Sequence, residues 1–572
     1  MKFLAPIAKF LRNLPLRQQV QEFGLNHLAL FLLFSTLGYL GNYFRAPLFF
    51  GVDFLFGSIF GLTAIYLYGV TMGVAISAIA STYTYFLWGQ PYAALLLILE
   101  SLWVGLGIVR QRRQQKAFSM VWLVLLYWLF IGAPLCFVIY TSLLKFGTSS
   151  AILVVLKQII NGAFNALIAH LLIDYLPLGL LQPKAQRARD RRQLSVQQVL
   201  FNLLLAFVLL PVMAIAVLTG SQAFQYVENE IANHLDVSAK TMVTDINFLH
   251  DRDVAVLQEI AKIAANEKNE NDFNDLQLIV ESLAKTAPSF VNIYATDIQA
   301  NPLATFPSTS NLEKEILRKY ISNEEVFQDV RSNLKVIFSD IHLDNQLGTS
   351  LVDVALPILN NGKFNGAVIG SLDISQFRNL LMENSKSDNT EFLVLDQRKT
   401  IIVSTAPEFA VGKIFDLQSG SESRPFKDRH VQWIPKIQGV AAMTLWRKSY
   451  YVHQAAIGNN NPWTLIVRLS PVPYINNLET LNTYILAIVL IIIFLAVIVA
   501  NTLSRRLVRP IAKLIRLTTD LPQRLAVESD FAWRPSNLDE IDTLGYNFQT
   551  MAIALQEKFH EILQANLYLE ER

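Results

Sequence analysis

The chain contains 572 residues, of which 52% are hydrophobic and 16% are charged. Its mean hydropathy of +0.34 is high for a soluble protein, and its length is sufficient for several domains. The formal net charge is only +2, and the basic residues cluster beside apolar stretches, which excludes nucleic acid as an expected partner. Cys136 is the only cysteine, so an intrachain disulfide and a cysteine-rich metal site are also excluded.

Apolar stretches long enough to cross a bilayer recur along the chain, each needing about 20 residues. All but one of them precede a long segment of ordinary globular character. The pattern predicts an α-helical membrane protein with about eight spans, at 26–44, 52–69, 70–88, 91–109, 119–141, 151–173, 198–219 and 483–503.

The orientation of these spans follows from four clusters of Lys and Arg. Because basic residues concentrate on the cytoplasmic side, clusters before the first span and after the fourth, sixth and eighth predict that both termini are cytoplasmic. We therefore expect a multi-pass protein of the bacterial inner membrane. The predicted order is a basic N-terminus (1–25), a six-span block (26–181), a basic linker (182–197), the seventh span (198–220), an outer domain (221–481) and the eighth span (482–503).

The outer domain is predicted to begin with a long helix and to continue as short strands. Apolar residues recur at helical steps from Val227 to Ile260, directly after the seventh span. After Pro288 the pattern changes and predicts two antiparallel sheets in tandem. The predicted strands are 290–294, 350–358, 367–374, 391–396, 400–404, 440–446, 450–457 and 463–469.

This segment resembles the double Cache (tandem PAS-like) sensor domains over about 250 residues. The runs from Ala355 to Ile358 and from Gly366 to Ile374 look like the last two strands of that family's membrane-distal module. The run from Trp463 to Val467 looks like the end of its membrane-proximal module. The resemblance implies an α+β fold, with a distal module at about 270–380, a proximal module at about 388–470, and a small-molecule ligand outside the membrane.

The same resemblance suggests a ligand site. In the amino-acid-binding branch of the family, an aspartate at the place of Asp373 holds the ligand amine, and a second one, aligned with Asp340, assists. The aromatic carboxylate clamp of that branch is absent around Arg331, so the class of ligand stays open. We expect a site formed by Asp373, Asp340, Arg331 and Tyr294. The alternatives are that Asp373 caps the turn after its strand, Tyr294 belongs to the core, and the other two are solvated surface charges.

Two amphipathic segments follow the eighth span and carry a heptad-like seam. Segment 504–556 resembles the HAMP family in its early Pro510, in Glu540 at the second helix, and in the Asn-Phe-x-x-Met run that contains Phe548 and Met551. The resemblance implies a parallel four-helix coiled coil in a homodimer, with these four residues in the signal relay. Segment 557–572 would extend the coiled coil, and it resembles the linker before a cytoplasmic transmitter domain.

Three polar residues lie inside predicted spans. Glu100 falls near the middle of the fourth span, and Asn161 and Asn165 are one helical turn apart in the sixth. Such residues are costly in a bilayer and usually face the bundle interior or a cavity, where they either fasten helices or serve a function. Glu100 therefore keeps open the alternative of a membrane transporter or substrate-binding component built on the six-span block.

No catalytic or cofactor-binding motif is recognisable: the chain has no Walker loop, cyclase signature or ATP-binding glycine boxes. His342, His430 and His453 are scattered without metal-ligand spacing, which predicts no metal site and no cofactor.

The sequence as a whole predicts a homodimeric transmembrane receptor. It would sense a small extracytoplasmic ligand and relay the signal through the HAMP-like segment to a cytoplasmic output, such as a histidine kinase or diguanylate cyclase domain outside this chain. A transporter, or a catalytic receptor without its enzyme domain, are the alternatives.

Overall fold

A computed structural model describes residues 25–570, apart from 50, 115–118, 177–194, 267–269, 344–348, 417–420, 428, 438, 459–462, 520–532 and 534–538. The predicted basic N-terminus and most of the predicted basic linker lie outside the described residues. The chain forms two compact units. The first comprises Met1–Ala223 and Asn477–Arg572, and the second comprises Phe224–Asn476.

The described part of the first unit is mainly helical. Its helices, with two that continue into the second unit, are α1 (Leu25–Tyr43), α2 (Ser58–Tyr68), α3 (Val70–Trp88), α4 (Tyr92–Gln114), α5 (Met120–Leu143), α6 (Thr148–Tyr175), α7 (Val196–Ala264), α13 (Val472–Thr518) and α14 (Asp539–Glu570). A small antiparallel hairpin of β1 (Ala46–Phe49) and β2 (Val52–Phe54) separates α1 from α2.

Among the described residues, six helices are long and apolar enough to cross a membrane: α3, α4, α5, α6, α7 and α13. They coincide with the last six predicted spans. The first predicted span is the 19-residue helix α1, which is not among these six. The second, at 52–69, is wrong as a continuous span, because it consists of β2 and the 11-residue helix α2. Eleven helical residues rise about 16 Å, roughly half of the hydrocarbon thickness.

The described part of the second unit contains two six-stranded antiparallel sheets, which confirms the predicted tandem arrangement. In the first sheet, β3 lies between β4 and β8, and β7 separates β8 from β5 and β6. Helices cover this sheet. Its elements are α8 (Glu270–Ala284), β3 (Phe290–Thr296), β4 (Pro302–Phe306), α9 (Asn311–Asn323), α10 (Glu325–Asn333), β5 (Ile337–Phe338), β6 (His342–Leu343), β7 (Ser350–Asn360) and β8 (Lys363–Asp373).

Helix α11 (Ile374–Asp388) connects the first sheet to the second. The strand order of the second sheet is β10-β9-β14-β13-β12-β11, so its first strand again lies between its second and its last. Its elements are β9 (Thr390–Leu395), β10 (Ile401–Ser404), β11 (Ser421–Phe426), β12 (His430–Pro435), α12 (Ala442–Arg447), β13 (Tyr450–Ala456) and β14 (Thr464–Leu469).

One predicted strand of the second sheet, 440–446, is wrong, because these residues form the short helix α12. Its alanine, methionine and leucine residues are good helix formers, and its apolar residues do not alternate with polar ones as they do in a half-buried strand.

Candidate functional site

The two faces of the first sheet bury different elements. One face packs against α7 and α8, where Leu257, Ile260 and Val280 are fully buried. The other face is covered by α9 and α10 through Ile321 and Phe327. We call the second of these the α9/α10 face. Side chains alternate between the faces along each strand, so a residue's position in the strand fixes the face on which it lies.

A row of polar residues crosses the α9/α10 face. Asn292 on β3 pairs in register with Ser371 on β8, which pairs in turn with Asp353 on β7. Ser371 and Asp353 are buried, at 5% and 4% exposure. Residues two positions along their strands, Ala355 and Ile369, belong to the apolar cluster of the same face. The face therefore combines an apolar surface with a line of buried polar groups, as small-molecule sites commonly do.

Asp353 provides the negative charge of this face. Its carboxylate lies 3.5 Å from Nε2 of His342, whose side chain is 35% exposed. The backbone of Asp353 is held by Ser339, whose hydroxyl accepts from the Asp353 N–H at 2.8 Å. A buried carboxylate needs a hydrogen-bonded or cationic neighbour, so this position favours a positively charged group. The sequence analysis did not single out Asp353, although it is the only charged residue within the apolar run 351–358.

Asp373 lies at the end of β8 and caps helix α11. Its Oδ1 accepts from the Ser375 N–H at 2.8 Å, and its Oδ2 accepts from the Ser375 hydroxyl at 2.7 Å. An aspartate before the first turn satisfies an amide group that the helix leaves unpaired. The geometry is that of the capping alternative, and a ligand contact at Asp373 stays a prediction.

The other three predicted site residues are dispersed. Tyr294 packs against the apolar cluster of the α9/α10 face. Arg331 is exposed near the end of α10. Asp340 is 46% exposed and forms an ion pair of 3.1 Å with Arg398 from the second sheet's β9–β10 connection. Of these three, Tyr294 is the one that the fold places beside the polar row.

The asparagines of α6 hold the backbone where β2 leads into α2. Oδ1 of Asn161 accepts from the Leu55 N–H at 3.0 Å, and Nδ2 of Asn165 donates to the Leu55 carbonyl at 2.8 Å. Asn42 adds a bond from the Gly57 N–H at 2.8 Å. Irregular backbone within a membrane requires such partners, because lipid supplies none. These contacts give both asparagines a structural role.

Glu100 is completely buried within the first unit. Its Oε1 accepts from the indole N–H of Trp128 at 3.1 Å. Its Oε2 has no hydrogen-bond partner among the described residues. Lys157 on α6, which the sequence analysis did not consider, is also buried and lies 4.9 Å above the ring of Trp88.

The predicted relay residues lie on α13 and α14. Pro510 is inside α13, and Glu540 is in the first turn of α14. Phe548 is buried and Met551 is 51% exposed. The sequence analysis missed Trp533, which is buried between the two helices.

Trp533 contacts both helices through specific interactions. Its indole N–H donates to Oδ1 of Asp542 at 2.9 Å, and the ammonium group of Lys513 lies 5.2 Å above its ring. A side chain added at Gly545 would meet the ring at 2.2 Å. Only glycine at this position therefore lets the tryptophan pack against α14.

No protein-family model matches the chain, and no curated protein matches it. Many solved structures are similar to part of it, including the following three. An extracellular ligand-binding receptor from Desulfohalobium retbaense is 12% identical with a TM-score of 0.31, over 41% of this chain and 40% of that one. The ligand-binding domain of the Pseudomonas aeruginosa amino acid chemoreceptor PctC, in complex with GABA, is 12% identical with a TM-score of 0.32, over 41% of this chain and 99% of that one.

The third is the sensory domain of the Campylobacter jejuni chemoreceptor Tlp3, which is 12% identical with a TM-score of 0.32, over 46% of this chain and 98% of that one. Similarity at this level establishes neither a family nor a shared ligand.

Proposed function

We propose that the chain is a homodimeric receptor of the bacterial inner membrane, with both termini in the cytoplasm. It binds a small molecule outside the membrane and relays binding to a cytoplasmic transmitter domain or partner. The observation that carries this proposal is the continuity of two helices. Helix α7 runs unbroken for 69 residues from the apolar stretch of the seventh predicted span to Ala264. Helix α13 begins shortly after β14 and contains both the eighth predicted span and Pro510.

The far end of α7 is fastened to the first sheet. Leu257 and Ile260 are fully buried in the core beneath it. Arg252 donates to the Ser289 hydroxyl at 2.9 Å, and the Ser289 carbonyl accepts from the Asp373 N–H at 2.9 Å. A change at the end of β8 would thus reach α7 through one residue, Ser289.

The ligand we propose is a small molecule with a protonated amine, bound on the α9/α10 face. The Asp353 carboxylate would receive the amine beside His342, and Tyr294 would supply an aromatic wall. Asp373 would lie at the edge of the site, and the exposed Asp340 and Arg331 at its rim. The combination of one buried charge with an apolar surface supports this class of ligand.

Binding can be tested on the full-length protein in lipid nanodiscs. A panel of amino acids and primary amines is added, and the melting temperature is measured. A ligand that binds only the folded state raises it by mass action. Asp353→Asn should abolish this rise, whereas Asp251→Asn, at an 81% exposed side chain on α7, should not. An amine-dependent rise that persists in Asp353→Asn would contradict the proposed site.

The homodimer is supported by an apolar stripe on α14. Leu544, Met551, Leu555 and Ile562 are all more than 40% exposed and follow heptad spacing. In a parallel dimer, a second copy would cover this stripe. Cysteines at Leu544 or Met551, in a Cys136→Ser background, should crosslink between chains faster than a cysteine at the exposed Thr550. Equal crosslinking rates at the three positions would contradict a dimer interface along this apolar stripe.

The proposed topology places Gln114 and Lys184 in the cytoplasm and Asn311 outside. Reporter fusions after these residues test the arrangement in cells. A fusion at Gln114 that reports the outside would overturn it.

A second candidate function, transport by the helical segment 26–181, is favoured by the charges buried in the first unit. Lys157 is 1% exposed, and the buried Asp53 pairs with Arg45 at 3.1 Å. Intramembrane charges often line pathways for ions or substrates. Glu100→Gln should preserve expression and thermal stability but change the output of a reporter chimera, or uptake into proteoliposomes. If neither changes, Glu100 only fastens helices.

A further inference from the structure

Two histidines that are distant in the sequence face each other in the second sheet. His430 on β12 and His453 on β13 are directly paired in register. Their ring centroids are 4.8 Å apart, with an angle of 38° between the rings. Both residues are buried, at 6% and 8% exposure. Two imidazoles therefore share one small volume on one face of this sheet.

Helix α7 adds a carboxylate to this pair. Oδ1 of Asp236 lies 3.1 Å from Nε2 of His430 and 3.8 Å from Nδ1 of His453. One donor atom from each of the three residues lies within 4.8 Å of the other two. The cluster thus joins two neighbouring strands to the helix that leaves the seventh predicted span.

The donor set suits a transition-metal ion. Imidazole nitrogen and carboxylate oxygen are common zinc ligands, and tetrahedral zinc with bonds of about 2.0–2.1 Å places its ligand atoms about 3.3 Å apart. The two distances to Asp236 lie on either side of that value. The side chain of Asp236 is 56% exposed, so solvent can reach the cluster and complete the coordination.

The surroundings of the His453 ring also suit a residue that binds a metal ion. Its Nδ1 has no hydrogen-bond partner among the described residues, although the ring is buried.

We propose that His430, His453 and Asp236 bind a divalent transition-metal ion, with zinc as the reference ion, and that this ion fastens α7 to the second sheet. The site is separate from the amine site on the first sheet and would give the receptor a second input. Because Asp236 is a helix residue and the histidines are strand residues, the bound ion would oppose any movement of α7 along the sheet.

The experiment uses the full-length protein in nanodiscs, stripped of metal with a chelator. Zinc sulfate is titrated, bound zinc is counted by mass spectrometry after desalting, and cobalt chloride is added separately as a spectroscopic probe. We expect one ion per chain, a visible absorption band of four-coordinate cobalt that zinc abolishes, and a melting temperature that rises with zinc. Asp236→Asn and His453→Gln should each weaken zinc binding at least about tenfold.

His250→Gln is the matched control, because His250 also lies on α7 and pairs with an aspartate, Asp251, at 3.2 Å. It should bind zinc like the wild type. Asp236→Asn is the decisive variant, since this exposed side chain can change without disturbing the core, and its melting temperature without metal reports its folding. Zinc binding that is unchanged in a correctly folded Asp236→Asn, or a wild type that holds no zinc, would overturn the proposal.

Discussion

The two sheets of the second unit share the order of four equivalent strands, β4-β3-β8-β7 and β10-β9-β14-β13, but carry different polar pairs at equivalent places. In the first sheet, the penultimate strand β7 contributes Asp353, which contacts His342 on the neighbouring strand β6. In the second sheet, the penultimate strand β13 contributes His453, which faces His430 on the neighbouring strand β12. The same topology thus presents an acid–imidazole pair in one case and an imidazole pair in the other.

The pairs also differ in the direction that they face. Asp353 lies on the α9/α10 face, because its neighbours in the strand, Val352 and Val354, alternate with it and Val354 packs toward α7 and α8. The two histidines lie beside Asp236, a residue of α7 itself. A ligand on the first sheet must therefore act on α7 through the sheet, whereas an ion on the second sheet would act on it directly.

The largest difference in stability that we expect concerns Arg468 on β14. This arginine is 3% exposed, lies 3.8 Å above the ring of Tyr450, and pairs with Glu391 and Glu408. The equivalent strand β8 has no charged residue between Gly366 and Leu372. Because Glu408 is 49% exposed and can be solvated, Arg468→Met should lower the free energy of unfolding by about 2–3 kcal/mol, less than for a fully buried pair.

Chemical denaturation monitored by tryptophan fluorescence measures this change. Arg424→Met is the control, because Arg424 is 53% exposed and its pair with Glu422 is equally accessible. Its effect should be below about 1 kcal/mol. If both variants lose similar amounts of unfolding free energy, the buried ion pairs of Arg468 do not stabilise the second sheet more than an exposed pair does.

The next effect is that a substitution in one sheet should weaken only the ligand of that sheet. Asp353→Asn should weaken binding of the amine at least about tenfold, or 1.4 kcal/mol, and leave zinc binding unchanged. Asp236→Asn should do the reverse. Isothermal titration of both variants with both ligands measures the four values. If either substitution weakens both ligands equally, the two sheets do not carry separate sites.

The smallest effect concerns Asp373. Asp373→Ala should cost about 1 kcal/mol, because α11 loses its N-terminal cap. Asp373→Asn keeps an oxygen that can cap the helix while removing the charge, so it should restore most of the stability. Titration of the Asp373→Asn variant with the amine then tests whether Asp373 also contacts the ligand. Unchanged affinity for the amine means that Asp373 only caps the helix, and a tenfold loss of affinity supports the predicted ligand contact.

Much of the fold could be predicted from periodicity. The tandem sheets and the helix that precedes them follow from clear strand and helix patterns, and six of the predicted spans coincide with long apolar helices. The span predicted at 52–69 failed because hydropathy does not distinguish a buried strand followed by a short helix from one long helix. The hydrogen bonds between Leu55 and the side chains of Asn161 and Asn165 make that break possible, and they join residues over 100 positions apart.

The polar clusters were harder to predict, because register rather than spacing creates them. His430 and His453 become neighbours only through the pairing of β12 with β13, and Asp236 joins them from a helix almost 200 residues earlier. Asp353 is recognisable in the sequence as a lone acid in an apolar strand, but the resemblance to the double Cache family points to Asp373 instead. The capping bonds from Ser375 explain an aspartate at that position without a ligand.

The most direct test of the proposed relay measures crosslinking at the apolar stripe of α14. Met551→Cys in a Cys136→Ser background is oxidised in membranes, with and without the amine that raises the melting temperature. We predict that the amine changes the rate of crosslinking between chains at least about twofold and that Asp353→Asn abolishes this change, because binding shifts the equilibrium between two packings of the seam. An amine that raises the melting temperature of the wild type but leaves its crosslinking rate unchanged would contradict the proposed relay.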